Sequence, residues 1–379
     1  MTSSREEAGG APADATAPRP RAPRRAPAAR PPRRATLRDV ADLAGVSVAT
    51  VSRVLADNYP VSVSTRNKVM RAVRRLDYVV NAHARALQVG ASRTIAFVLD
   101  DITGPSFAQA AAGVEEEAAE CGRICVVCTT GGDSERQAAV IDLMRTQGTE
   151  AVILIGGTTD DDAAQERLAS YARALAASGS RLVLCGHPPL REEAPVTVVD
   201  YDNEAGAYAA TAHVLSQGHR RVAFLGGRAG HLTASARLAG YLRALTSFGV
   251  DPDPALQIPG DLSFSRESGV RSLRRALDEG VRFTAVVAAT DMVAAGALSV
   301  LRDRGVRVPE DVSLVGYDDI PLTVDLTPRL TTVHVPYREL GRTAVRHALR
   351  PRTGPQDEPD HVVLGTHLVV RDSVAPPGA

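Results

Sequence analysis

From Thr36 the chain reads TLRDVADLAGVSVATVSRVL, in which Leu37, Val40, Ala41 and Ala44 recur at helical spacing and Gly45 stops the run. A second helix starts almost at once. Ser47 is placed to cap it, its hydroxyl accepting an otherwise unsatisfied backbone N–H, while Val51 and Val54 fall on the face that packs back on the first helix. Two short helices joined by a turn containing glycine make a helix-turn-helix. A third amphipathic helix, capped near Ser62 or Ser64, sets Val69, Val73 and Leu76 on one face and Arg66, Lys68, Arg71, Arg74 and Arg75 elsewhere. Residues 36–80 thus read as a minimal three-helix head.

Residues 81–92 contain NAHARALQVG, too short and too poor in apolar residues to stand as an isolated helix. From 93 to 379 the texture changes. Apolar runs TIAFVLD, RICVVCT, AVILIG, RLVLCG, VTVVDY, RVAFLGG, AVVAAT and VSLVGYDD alternate with amphipathic stretches such as FAQAAAGVEEEAAECG, AGAYAATAHVLSQG and VAAGALSVLRDRG. This is the βαβ rhythm of buried parallel sheets with helices on both faces. The segment is too long for one such layer, which predicts an α/β core of two doubly wound lobes, with chain crossings near 200 and 333 and a ligand site between the lobes at the strand carboxyl ends.

Charge sharpens the division. The chain has 379 residues and 44 Lys+Arg against 44 Asp+Glu, yet residues 1–92 hold 16 basic and 7 acidic side chains, leaving an excess of nine acids in the rest. The basic end is a candidate polyanion binder. Residues 1–35, with seven prolines and eight arginines, cannot form a core and read as a disordered arm, either inert or attracted to phosphates. No apolar run approaches the ~18 residues needed to span a bilayer, and the start MTSSREEAGG lacks the apolar centre of a signal peptide, so a cytoplasmic protein without membrane contact is expected. The four cysteines, Cys121, Cys125, Cys128 and Cys185, are too few for a disulfide scaffold. A metal site is not expected either, because a strand at RICVVC points Cys125 and Cys128 to opposite faces.

The head motif TLRDVADLAGVSVATVSRVL, together with VSVSTRNKVMRAVRRLDYVVNAHARAL, ASARLAGYLRAL, VSLVGYDDIPL and LTTVHVPYRELGRTAV, resembles the lactose-repressor (LacI/GalR) family of transcription regulators from Thr36 nearly to the end. The resemblance implies a homodimer or larger assembly with one head per subunit, a hinge helix over 81–92, and a core similar to periplasmic sugar-binding proteins. It also implies a palindromic double-stranded operator and a small-molecule effector, a carbohydrate first, with repression as the simpler mode.

In a helix-turn-helix the start of the second helix meets base edges, which assigns reading to Val48 and Ala49. Both are apolar and can sense thymine methyls and shape but cannot make bidentate hydrogen bonds, so Arg53, one turn on, is the candidate for a guanine contact. Leu37 joins the head's DNA-facing set. The hydroxyls of Thr36, Ser47, Thr50, Ser52 and Thr65 suit phosphate oxygens, helix capping being the alternative. By resemblance, Asn81 starts the hinge helix and Leu87 wedges into the minor groove, with His83 near phosphate or groove edges.

In the core the resemblance carries Arg237 and Asp318 to effector-contacting positions, and Thr103, Ser106 and Phe107 follow the first core strand. Thr290, Gly186 and Leu262 stand where relatives usually carry other residues, with His187 directly after Gly186, so the usual sugar-clamping set is incomplete; His187 and Thr290 are nevertheless kept as effector candidates. A nucleoside or another metabolite stays open as the effector. No catalytic residue or cofactor is expected: FLGGRAGH supplies no G-x-G-x-x-G, no Walker motif is present, and Asp100 and Asp101 are adjacent strand residues pointing apart. A transport-type binding protein would leave the head unexplained.

Overall fold

A capping box opens the first helix of the computed structural model, which describes residues 35–56, 59–78, 93–156, 159, 161–227, 230–260, 264–351 and 361–378. The Asp39 N–H donates to the Thr36 hydroxyl at 3.3 Å and the Thr36 N–H to the Asp39 carboxylate at 2.8 Å, starting α1 (Leu37–Ala44). Gly45 ends it at φ +65°, a left-handed conformation that glycine adopts without a Cβ clash. Ser47 caps α2 (Val48–Ala56) through the Thr50 N–H, and Ser62 caps α3 (Val63–Arg75) through the Thr65 N–H. Val40, Ala41, Val51, Val54, Val69 and Ala72 bury together with Tyr78, while Val73 and Leu76 pack at the edge of that cluster. These three helices belong to a first compact unit ending at residue 81; residues 82–379 form a second. The arm 1–34, the hinge candidates Asn81, His83 and Leu87, and Leu262 lie outside the described residues.

In the second unit β1 (Thr94–Leu99), α4 (Pro105–Glu120), β2 (Ile124–Thr129), α5 (Ser134–Thr146), β3 (Ala151–Ile155), α6 (Asp162–Ala177), β4 (Arg181–Cys185) and β5 (Val196–Tyr201) alternate to build the first lobe. Its sheet, joined by β11 (His361–Leu364), runs β11-β5-β4-β3-β1-β2 with every pair parallel. Ile95, Phe97 and Leu99 of β1 face one buried cluster and Ala96 and Val98 the other, which is why the strand is apolar throughout. On β2, Cys125 packs toward the first cluster and Cys128 toward the second, and burial pushes the Cys125 thiol up to about 11.

The second lobe holds α7 (Asn203–Ser216), β6 (Val222–Leu225), α8 (Leu232–Ser247), β7 (Gln257–Ile258), α9 (Arg266–Asp278), β8 (Ala285–Ala288), α10 (Asp291–Asp303) and β9 (Ser313–Val315), in sheet order β7-β6-β8-β9. After β10 (Thr332–His334) the chain returns to the first lobe as α11 (Tyr337–Leu349) and β11, then comes back as β12 (His367–Val369), antiparallel to β10. Close helix contacts lock each lobe. A Cβ on Gly113 of α4 would lie 2.0 Å from the Arg338 carbonyl oxygen on α11, and one on Gly341 of α11 would lie 2.3 Å from that of Ala110 on α4, so this crossing requires glycine on both sides. Among the described residues no helix is long and apolar enough to cross a membrane.

Candidate functional site

Two sets of residues stand out, one in each unit. In the head, Val48 is 44% exposed at the start of α2, Ala49 beside it is exposed too, and Arg53 is exposed one turn on. The Arg53 guanidinium carbon lies 5.1 Å from the ring centroid of Tyr59, a cation–π contact that limits where the side chain can point. The hydroxyls are occupied locally: Thr36 donates to Asp39 at 2.7 Å, Ser47 and Thr50 share a bond of 2.8 Å, and Ser62 donates to Thr65 at 2.9 Å. Thr36, Ser47 and Ser62 serve as caps, and the Thr50 and Thr65 hydroxyls bond to those of Ser47 and Ser62. Ser52 is half-buried, and Leu37 packs partly against the head core.

In the second unit a cleft of about 1080 Å³ opens between the lobes, lined by the loops that leave the strand carboxyl ends. From the first lobe come Asp100, Asp101, Thr103, Ser106 and Phe107 after β1, Gly131 and Gly132 after β2, and Gly186 after β4. From the second come His231, Phe264, Thr290 and Asp318, with Arg237 on α8 at the floor.

Arg237 is 1% exposed and saturated with partners. Its Nε donates to Asn203 Oδ1 at 2.9 Å, one terminal nitrogen to the Ala289 carbonyl, and the other meets Asp318 at 3.2 Å. The guanidinium carbon stands 3.7 Å from the centroid of the Tyr317 ring. Asp318 in turn accepts from the Tyr337 hydroxyl at 2.8 Å and the Ser106 hydroxyl at 3.3 Å. Ser106 and Tyr337 belong to the first lobe and Asp318 to the second, so one carboxylate ties the lobes across the cleft. It is held at φ +109°, a conformation costly for any residue but glycine.

Burial works against the Arg237 charge, yet Asp318 and the surrounding Tyr201, Tyr337 and Tyr317 hold the guanidinium above its ordinary range. Burial likewise raises Asp318, and Arg237 pulls it back. Burial and the nearby Asp318 raise Asp291 on α10, whose carboxylate accepts from the Thr332 hydroxyl at 2.6 Å and the Ile320 N–H at 2.9 Å. The second-lobe wall adds His231, its ring edge-on to Phe264 at 5.0 Å between centroids, with its imidazole pulled down by burial and by Arg237.

Of the expected effector residues, Thr103, Ser106, Phe107, Arg237, Thr290 and Asp318 line this one cleft. Thr103 gives its hydroxyl to Asp101 at 2.8 Å, and Thr290 caps α10, accepting the Val293 N–H at 3.2 Å. His187 is 1% exposed and is not among the residues lining the cleft, where Cys185 and Gly186, the latter at φ +63°, are found. Tyr201, His231, Phe264, Tyr337, Arg136 and Arg167 line the cleft without having been singled out. Tyr337 lay inside a matched segment, which was the available signal. Among the described residues no group of three or more His, Cys, Asp or Glu could hold a metal ion. A hydroxyl-rich, partly aromatic cleft with a buried ion pair suits recognition of a polyol.

Comparison with known proteins agrees with both halves. Residues 36–81 match the family described as bacterial regulatory proteins, lacI family, and residues 211–374 match a periplasmic binding protein-like domain. The transcriptional regulator CelR of Thermobifida fusca is 37% identical over 348 residues, spanning 90% of this chain and 98% of that protein. A solved CelR–cellobiose complex superposes with a TM-score of 0.66 at 35% identity, covering 90% of this chain and all of that one. The lac repressor dimer bound to operator and the anti-inducer ONPF gives a TM-score of 0.78 at 28% identity with the same coverage. With head motif, two-lobed core and full-length relatives in agreement, the chain belongs to the lacI family of bacterial regulatory proteins, as a helix-turn-helix transcription regulator rather than an enzyme.

Proposed function

We propose that this regulator binds a palindromic operator as a homodimer and represses transcription, its operator affinity set by a small carbohydrate held between the core lobes. The observation that carries the reading is the Asp318 carboxylate, which takes hydroxyl hydrogen bonds from the first lobe and the Arg237 guanidinium from the second. A ligand whose hydroxyls compete for Asp318 changes what holds the lobes together, and only such a differential contact can shift a conformational equilibrium. A relative solved as a cellobiose complex supports a sugar as the ligand.

A single head presents few base-reading side chains, and pairing two on an inverted repeat supplies affinity that one lacks. A dimer also gives β2 a purpose. This edge strand exposes Ile124 at 69%, with Val126 and Val127 beside it, an apolar edge of the sort a partner subunit covers. A protein acting on DNA in this way works in the bacterial cytoplasm. Gel shift with the full chain tests the reading: an inverted repeat selected from random DNA should be bound by two chains, and a sugar should change that affinity. Equal affinity for a single half-site and its palindrome would contradict the dimer, and indifference to every sugar tried would contradict the carbohydrate.

A further inference from the structure

Two arginines in the first-lobe half of the cleft form no ion pair with any described carboxylate. Arg167 on α6 and Arg136 on α5 both line it. The Arg167 Nε is sealed from solvent without a hydrogen-bond partner, and a terminal nitrogen reaches only the Ala163 carbonyl of its own helix, at 3.4 Å. Four residues along, on the same helix face, the Tyr171 hydroxyl is also buried without a partner. Arg136 gives its backbone N–H to Asp133 at 3.1 Å, while its guanidinium forms no ion pair with any described residue.

The neighbouring acids are committed elsewhere. Asp100 accepts the Thr130 hydroxyl at 2.7 Å, Asp101 the Thr103 N–H at 2.8 Å, and Asp133 the Glu135 N–H at 2.8 Å. Asp161 accepts the Thr159 hydroxyl and, at 2.7 Å, the Ala164 N–H, and it feels the Arg167 charge without pairing with it. These carboxylates stabilise loops and helix starts; the guanidiniums stay open to the cleft. Arg237, in contrast, has every nitrogen engaged. The buried, unmet Arg167 Nε marks the place of an absent acceptor, exposed Arg136 adds a second cation to the same lining, and a guanidinium fits an oxyanion better than a sugar hydroxyl.

We propose that the effector is an anionic carbohydrate, whose phosphate or carboxylate docks on Arg167 and Arg136 while its hydroxyls engage Asp318, Ser106 and Tyr337. This rests on the carbohydrate reading above and narrows it. Isothermal titration of the full chain with glucose, glucuronate, glucose 6-phosphate, cellobiose and cellobiose 6-phosphate tests it, with inorganic phosphate as competitor. The anionic member of a pair should bind at least about tenfold tighter than its neutral parent, and the preference should shrink as salt rises. The two anions separate a phosphate from a carboxylate source. Arg167→Gln and Arg136→Gln should each erase most of the preference, and exposed Arg136 keeps the test open should the Arg167 variant not fold. A neutral sugar bound as tightly as its anionic partner, or a preference surviving in both variants, overturns this inference alone. Failure of every sugar to bind overturns the carbohydrate reading with it.

Discussion

The guanidinium of Arg237 meets the carboxylate of Asp318 at 3.2 Å with the two side chains 2% and 6% exposed. A pair sealed this completely is structural, whatever ligand role is proposed for it. Removing one partner leaves a buried charge without its counterion, a loss of about 3–5 kcal/mol in comparable sites. Arg237→Ala should therefore lower the stability of the core by that order as well as abolish the sugar response, as denaturant unfolding would measure. Tyr337→Phe is the finer probe, since it deletes one hydroxyl from Asp318 and should cost about 0.5–1.5 kcal/mol while altering sugar affinity. Unchanged stability in Arg237→Ala would mean that the pair is not held as the geometry has it.

Acidification should weaken the core through its histidines. Burial lowers His213, His219 and His231, the last with help from Arg237. A histidine with a folded pKa below the unfolded value of about 6.5 takes up its proton more readily when unfolded. Stability from these groups is complete above pH ~6.5 and is lost as pH falls from there through their folded values. Urea unfolding between about pH 7 and 5 should show the slope, and His231→Gln should flatten it. An identical slope in the variant would remove His231 from the explanation.

The head was legible because its signals are local. The three caps each join residues three apart, Thr36 with Asp39, Ser47 with Thr50 and Ser62 with Thr65, and the buried positions follow helical spacing. The eight long apolar runs became strands because buried parallel strands are apolar on both faces. The two-residue β7 and three-residue β10 and β12 are too short to carry any period, so the last return of the chain between the lobes could not be seen in the pattern. His187 is buried outside the lining, beside the left-handed Gly186 that does line the cleft, a difference that no periodicity reveals. Nothing local distinguishes Arg136 and Arg167 from solvent-facing arginines on amphipathic helices. Their position depends on strand order, which brings α5 and α6 to one cleft edge.

Arg53 is expected to supply the head's hydrogen-bonding readout, since exposed Val48 and Ala49 can offer only apolar contact. Arg53→Ala should cost about 1–3 kcal/mol at one symmetric pair of base positions and relax specificity there. Binding measured across a set of single-base operator variants checks this. Uniform weakening at all positions would make Arg53 a phosphate contact held by Tyr59.

Leu87 carries the hinge expectation. That expectation rests on the family resemblance of the segment around it, which lies outside the described residues. Leu87→Ala should keep the head folded, lower operator affinity by on the order of a few kcal/mol and reduce DNA bending, with nonspecific binding largely retained. A bend angle equal to wild type would rule the wedge out.

Central to the whole reading is that the cleft and the operator are energetically coupled. Coupling between two binding sites is reciprocal, so operator DNA must change sugar affinity by the same factor by which sugar changes operator affinity. The direct measurement is sugar titration into the full-length dimer, free and saturated with operator, beside operator titration with and without sugar. The account predicts equal factors of about 5- to 150-fold in the two experiments, both lost in Tyr337→Phe if Asp318 transmits the signal. A sugar that binds the cleft with the same affinity whether or not the operator is bound would contradict it.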